Sequence, residues 1–209
     1  MLGANLAAFV LSLPIIGLVG LIAYFLRSLS LLPIGVTVVV AILPNPAAAG
    51  LQFLAREYVH IEPVYAREQW DALRRYGMIA LKAWLLSVPV TAVLMLNTVF
   101  YASARFPLSR LLAVLWLYVL LTWFAAHLYV YPLIMEQEAK GILVIYRNAL
   151  LITVSRPLFT YIVLPFWLGL VLVSSAIGLV AVIGLAIGAA IQQNAAARIL
   201  PTFDLPTPR

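Results

Sequence analysis

The chain has 209 residues, 65% hydrophobic and 10% charged, with mean hydropathy +1.09 and net charge +6. A soluble domain is about 45–50% apolar and about 25% charged, so this chain needs the bilayer as solvent for most of its surface. The lack of cysteine excludes disulfides and thiolate chemistry, and two histidines with seven carboxylates make a poor metal centre.

A spanning helix needs about 20 mostly apolar residues. The first such run covers residues 5–26 and contains Pro14; with no Lys or Arg before Arg27, it reads as a span and not as a cleavable leader. The second covers residues 31–55 and is interrupted by Pro44, Asn45 and Pro46. Two prolines within three positions remove two backbone donors, so a sharp break is expected there, with Asn45 offering polar groups at membrane depth.

Residues 56–76 are the most charged stretch. Glu62-Pro63 reads as a helix start. Ala66, Trp70, Leu73 and Gly77 share one face and Arg67, Asp71, Arg74 and Arg75 another, which predicts a short amphipathic helix lying on the membrane surface with Trp70 as its anchor. The third span covers residues 77–101 and the fourth 109–134, joined by a link that contains Pro107 and is flanked by Arg105 and Arg110.

A second amphipathic piece follows over residues 137–155, where Ile142, Leu143, Tyr146, Ala149, Leu150 and Thr153 form an apolar stripe at helical spacing. Arg156-Pro157 then opens an apolar run of 43 residues ending at Ile199. As one helix it would be about 64 Å long, twice the ~30 Å hydrocarbon core, so it must fold back. Ser174, Ser175 and Gly178 mark the turn, giving spans over residues 157–174 and 178–199 and an irregular tail over 201–209. In the last span Gly178, Ala181, Gly184 and Gly188 recur at small-residue spacing, which lets helix backbones approach closely. That stripe packs inside the protomer or forms a homodimer contact.

The expected fold is therefore all-α: a polytopic transmembrane bundle of six spans with two amphipathic helices on the cytoplasmic side. Five spans result if residues 5–55 form one broken element. With six, Arg56, Arg67, Arg74, Arg75, Lys140, Arg147, Arg156, Arg198 and Arg209 share one side and Arg27, Arg105 and Arg110 the other. The excess of cations places the first set, and the C-terminus, in the cytoplasm of a bacterial inner membrane. The same reading accounts for the net charge without nucleic-acid binding, since no basic soluble domain exists to carry it.

Several short motifs resemble the YesL-like bacterial membrane proteins, a group whose function is not established. They are Asn5 at the opening of the first span and Pro46-Ala47-Ala48-Ala49-Gly50-Leu51 after the proline break. The charged segment closing on Trp70 and Arg74 fits too, as do Arg147-Asn148-Ala149-Leu150 and Arg156-Pro157 ahead of a terminal hydrophobic hairpin. The resemblance implies an accessory partner of carbohydrate uptake systems, by association and not by mechanism.

Candidate sites are sparse. Asn97 lies deep in the third span, where it would bridge helices or meet a ligand. His127, with Tyr131 one turn on, sits in the inner half of the fourth span, as a packing residue or a functional one. Lys82 is expected to reach water or to pair with Glu136 or Glu138. Arg67, Arg74, Arg75 and Arg147 could hold anionic headgroups or a partner's acidic loop, or serve as ordinary topogenic charge. Nucleotide-binding, hydrolase and metalloprotease motifs are missing, so no catalytic residue and no cofactor is expected. The sequence thus suggests a non-catalytic accessory or scaffold subunit in contact with lipid and other membrane subunits. A small-solute transporter or channel built on Asn45, Asn97 and His127 is the alternative.

Overall fold

The computed structural model describes residue 10 and residues 46–60, 65–137, 141–176 and 184–203. Within them Pro46–Ala48 forms a single 3-10 turn that feeds α1 (Ala49–Val59). Proline at the start of a helical segment forfeits a donor that would be unpaired in any case. Pro44, Asn45 and, apart from residue 10, the expected first span lie outside the described residues. The remaining helices are α2 (Ala66–Ser103), α3 (Ser109–Glu136), α4 (Ile142–Ser155), α5 (Pro157–Ala176) and α6 (Gly184–Ile199), followed by a 3-10 turn at Leu200–Thr202.

The charged segment is not a separate surface helix. Residues 66–103 form one continuous helix of 38 residues, about 57 Å long. The expected boundary at Gly77 fails because one glycine costs a helix only about 1 kcal/mol and the flanking residues are good helix formers. Tyr65 is extended at the N-terminus, and its backbone N–H donates to the Glu68 carboxylate at 3.2 Å, which fixes the start. Pro89 within α2, Pro132 within α3 and Pro165 within α5 are all accommodated in unbroken helix.

Two described helices, α2 and α3, are long and apolar enough to cross a membrane, and a third results if α4 and α5 count as one broken span. Those two meet at Arg156 with a bend of 106°. Their separation at Arg156-Pro157 follows from the proline, which disfavours helical geometry in the residue before it. On α4 the buried residues are Ile145, Tyr146, Ala149, Ile152 and Thr153, so the packed face is rotated from the expected stripe and Leu143 points outward. The proposed turn over residues 174–178 is helical as far as Ala176; Gly178 and Ala181 lie outside the described residues.

The inner half of α3, from Trp123 to Met135, is buried at every position. A helix apolar on all sides is stable only when surrounded, and here α1, α2, α4, α5 and α6 all touch it. The outer halves of α2 and α3 instead present Val93, Leu96, Val99 and Phe100 beside Leu111, Val114, Leu115 and Tyr118, all exposed. At the tip of this antiparallel pair Tyr101 meets Phe100, Phe106 and Trp116 at ring separations of 5.1, 6.2 and 6.5 Å. An aromatic group at the end of an apolar exterior is the pattern of a membrane–water boundary.

Candidate functional site

Two buried polar clusters meet on α3. The first is built from residues one turn apart on each contributing helix. Ala83, Ser87 and Thr91 line one face of α2, and Trp123 and His127 the facing side of α3, while α4 adds Tyr146. The Trp123 carbonyl can accept but not donate, so the His127 Nδ1 contact of 2.8 Å places a hydrogen on Nδ1. That tautomer leaves Nε2 as an acceptor facing the Ser87 hydroxyl at 3.0 Å, whose one hydrogen is shared between it and the Ala83 carbonyl at 2.8 Å. The Tyr146 hydroxyl in turn reaches Ser87 Oγ and, at 3.1 Å, the Ala83 carbonyl. Trp123 Nε1 donates to Thr91 Oγ1 at 2.9 Å, and its ring stacks on Tyr146 at 5.2 Å and meets the edge of His127 at 4.9 Å.

The second cluster joins α1, α3 and α6 through glutamines. Gln193 Nε2 donates to Gln52 Oε1 at 3.1 Å, Gln52 Nε2 donates to Gln192 Oε1, and Gln192 Nε2 reaches the His127 carbonyl at 3.3 Å. Gln193 also contacts the Met135 sulfur at 3.7 Å. All three carboxamides are buried. His127 is therefore the residue common to both clusters, its ring serving one and its carbonyl the other.

Near the basic end, Arg56 of α1 holds Glu136 of α3 through Nε at 3.0 Å and a second nitrogen at 2.9 Å, and also pairs with Glu57 at 3.0 Å. Burial pulls the Arg56 guanidinium down, but the charge and hydrogen bond of Glu136, with Glu57 and Tyr76, outweigh it and leave it above its usual value. The expected role of Glu136 as a partner for Lys82 is thus filled by Arg56, and Lys82 is exposed.

The other expected site residues disperse. Asn97 is half-buried and its Nδ2 donates to the Val93 carbonyl of its own helix at 2.8 Å. It lies ten residues beyond Ser87, about 15 Å along α2. Tyr131 is buried one turn beyond His127. Arg67, Arg74 and Arg75 are exposed on the charged extension of α2, with Arg74 over the Trp70 ring at 5.7 Å and Arg75 over Tyr76 at 5.4 Å. Arg147 is exposed on α4, apart from that extension in sequence and helix. Gly188 faces Trp167 of α5, whose Nε1 would stand 3.3 Å from an added Cβ, so it serves packing within the chain. Gly184 opens α6.

No family model matches the chain. Neither a curated protein nor a solved structure is found similar to it. Its site is therefore judged on geometry alone. Among the described residues no group of three potential metal ligands occurs. Ser87 and His127 have the contact of a nucleophile with its base, yet Ser87 is 0% and His127 1% exposed. The arrangement ties helices together.

This distinction is measurable. Asn97→Leu is expected to leave stability within about 0.5 kcal/mol, because an i−4 back-bond contributes little. Ser87→Ala strands the His127 Nε2 acceptor and is expected to cost about 1–3 kcal/mol. Unfolding of the purified protein by SDS titration separates the two; equal costs would mean that Asn97 also bridges helices.

Proposed function

We propose that the protein is a non-catalytic integral membrane protein acting as an accessory or scaffold subunit of a bacterial inner-membrane assembly. The observation that supports this most is the fate of its polar side chains. His127, Ser87, Tyr146 and the three glutamines are bonded to one another and enclosed. They bind α1, α2, α3, α4 and α6 to each other and present no reacting group outward.

The membrane placement follows from the outer surface. Trp70 and Tyr101 lie 31 positions apart on α2, about 47 Å along the helix, close to the ~40–45 Å of a bilayer with its headgroups. The end that carries Arg67, Arg74 and Arg75 faces the cytoplasm by the excess of cations there, and the tip with Arg105 and Arg110 faces the other side. The link to carbohydrate uptake rests on the resemblance to YesL-like proteins. A small-solute transporter has less support, since Asn97 and His127 do not meet.

Extraction of a tagged protein from native membranes in mild detergent, followed by mass spectrometry, tests the reading. Recovery of specific membrane subunits in fixed ratio is expected. Recovery of the chain alone, together with solute flux through proteoliposomes that contain nothing else, would replace the scaffold by a carrier.

A further inference from the structure

The corner between α4 and α5 holds a cation among exposed apolar side chains. Arg156 is exposed, and so are Val154, Ser155, Pro157 and Leu158 around it. Among the described residues its guanidinium makes no ion pair and no hydrogen bond. Sequence order counts Arg156 with the cytoplasmic cations, but the contacts on either side of it lie deeper. Ser87 stands 17 positions from Trp70 and 14 from Tyr101 on α2, within about 2 Å of the middle of the span that those two aromatics bound. Tyr146, ten positions before Arg156, bonds Ser87. Thr160, one turn after Arg156, bonds the hydroxyl of Tyr129 at 2.8 Å, two residues from His127 on α3. Tyr161 then bonds Thr122 at 2.6 Å and packs its ring 6.4 Å from Tyr118, in the half of α3 that leads to the tip. The 106° corner is thus held from both sides near the middle of the bundle. Lipid phosphates at such a depth are about 15 Å away in either leaflet.

A guanidinium in hydrocarbon needs a counter-charge, and this chain has none to give. Its seven carboxylates are Glu57, Glu62, Glu68, Asp71, Glu136, Glu138 and Asp204. Glu57 and Glu136 are held by Arg56, and Glu68 and Asp71 lie on the charged extension of α2. Residues 1–56, 72–135 and 139–203 contain no Asp or Glu. The apolar runs of this copy, or of a second copy, therefore bring no carboxylate to that depth. Another protein has to supply it. From the corner Leu158, Ile162 and Phe166, which are 81%, 60% and 72% exposed, run along one side of α5 and offer a helix an apolar surface to lie on.

We propose that the α4–α5 corner docks a membrane-spanning helix of a partner subunit, whose Asp or Glu near mid-span pairs with Arg156. The partner's apolar side chains cover Leu158, Ile162 and Phe166. This inference rests on the scaffold reading above and adds the face and the chemistry by which a partner is held. The absence of native cysteine lets the depth be measured directly. A spin label at Ser155→Cys, in proteoliposomes, is expected to collide with lipid-soluble oxygen and not with a water-soluble nickel chelate. Nickel accessibility there would overturn the placement.

Benzoylphenylalanine in place of Leu158, in native membranes, then reads the partner. Under ultraviolet light it is expected to crosslink one protein, through a spanning segment that contains Asp or Glu. Arg156→Gln is expected to cut the yield by at least about tenfold, because it leaves the partner's desolvated carboxylate unpaired. Arg156→Lys is expected to keep part of the yield. Arg156→Asp should lose it, and a lysine in place of the partner's carboxylate should restore it. SDS unfolding of Arg156→Gln is expected to match the parent; a lower midpoint would mean that Arg156 bonds within its own chain, and would overturn the docking site. An unchanged yield in Arg156→Gln, an adduct to a segment without an acid, to a differently tagged second copy, or to lipid alone would each sink the proposal. Subunits that still copurify in fixed ratio with Arg156→Gln would remove the docking site and leave the scaffold reading standing. Recovery of the parent chain alone would remove both.

Discussion

Gly50→Ala is expected to be the most damaging single methyl addition in the described part of the chain. A Cβ built on Gly50 would overlap the backbone carbonyl oxygen of Gln69 and stand 2.7 Å from its Cγ. The side-chain atom could swing away, but the carbonyl belongs to α2 and moves only with the helix. That contact fixes α1 against the charged extension of α2, next to the stacked rings of Phe53 and Tyr76 at 6.1 Å. Overpacking of this kind costs about 1–3 kcal/mol for a methyl group, and Gly50→Val should exceed it.

Two other glycines calibrate the experiment. Gly188→Ala would press on Trp167 at 3.3 Å, where a small ring shift can relieve it, so its cost should be smaller. Gly169→Ala meets nothing within 4 Å and lies inside α5, so it should be neutral or stabilise by about 0.4–1 kcal/mol. SDS unfolding of the three variants is expected to rank them Gly169, Gly188, Gly50 in increasing damage. A Gly50→Ala protein as stable as the parent would mean that α1 and α2 do not approach this closely.

How much of this was open to a reader of the sequence depends on the scale of the feature. The apolar helix expected over residues 109–134 is seen as Ser109–Glu136, because apolar length is a local property that no distant contact overrides. The α2 boundary was harder, since composition changes sharply near Gly77 and helix propensity does not. A change of solvent along a helix looks in sequence like a change of element. His127 stood out as an ionisable residue in an apolar span. Its partners Ser87 and Tyr146, 40 and 19 positions away, could not be paired with it, because interhelical contact depends on how each helix is rotated.

The glutamines are a different case, for a signal was present. Gln52 interrupts the apolar run over residues 31–55, and Gln192 with Gln193 interrupts the last one. A carboxamide in a spanning segment has four hydrogen-bonding sites and no water, so it must find another helix. Asn97 attracted attention for that reason, yet it bonds within its own helix, while the glutamines join three. The same argument, applied to every amide in the apolar runs, would have named them as candidates.

Those glutamines carry the second large expected effect. Gln52 is both acceptor and donor, taking a hydrogen from Gln193 and giving one to Gln192. Gln52→Leu therefore removes two bonds and leaves an enclosed Oε1 on Gln192 without its donor. Gln193 Nε2 would keep only the weak contact to the Met135 sulfur at 3.7 Å. A buried polar group left without a partner costs about 1–3 kcal/mol, more than a made bond contributes, so the single substitution should lose about 2–4 kcal/mol in all. Replacing Gln52, Gln192 and Gln193 together by leucine removes the stranded groups as well as their bonds. The residual cost is then packing, and the triple variant should unfold at higher SDS than Gln52→Leu alone. Non-additivity of this sign follows from the cluster being enclosed and mutually satisfied. If instead the three losses simply sum, each glutamine acts independently, and the cluster is not what holds α1 and α6 against the centre of the bundle.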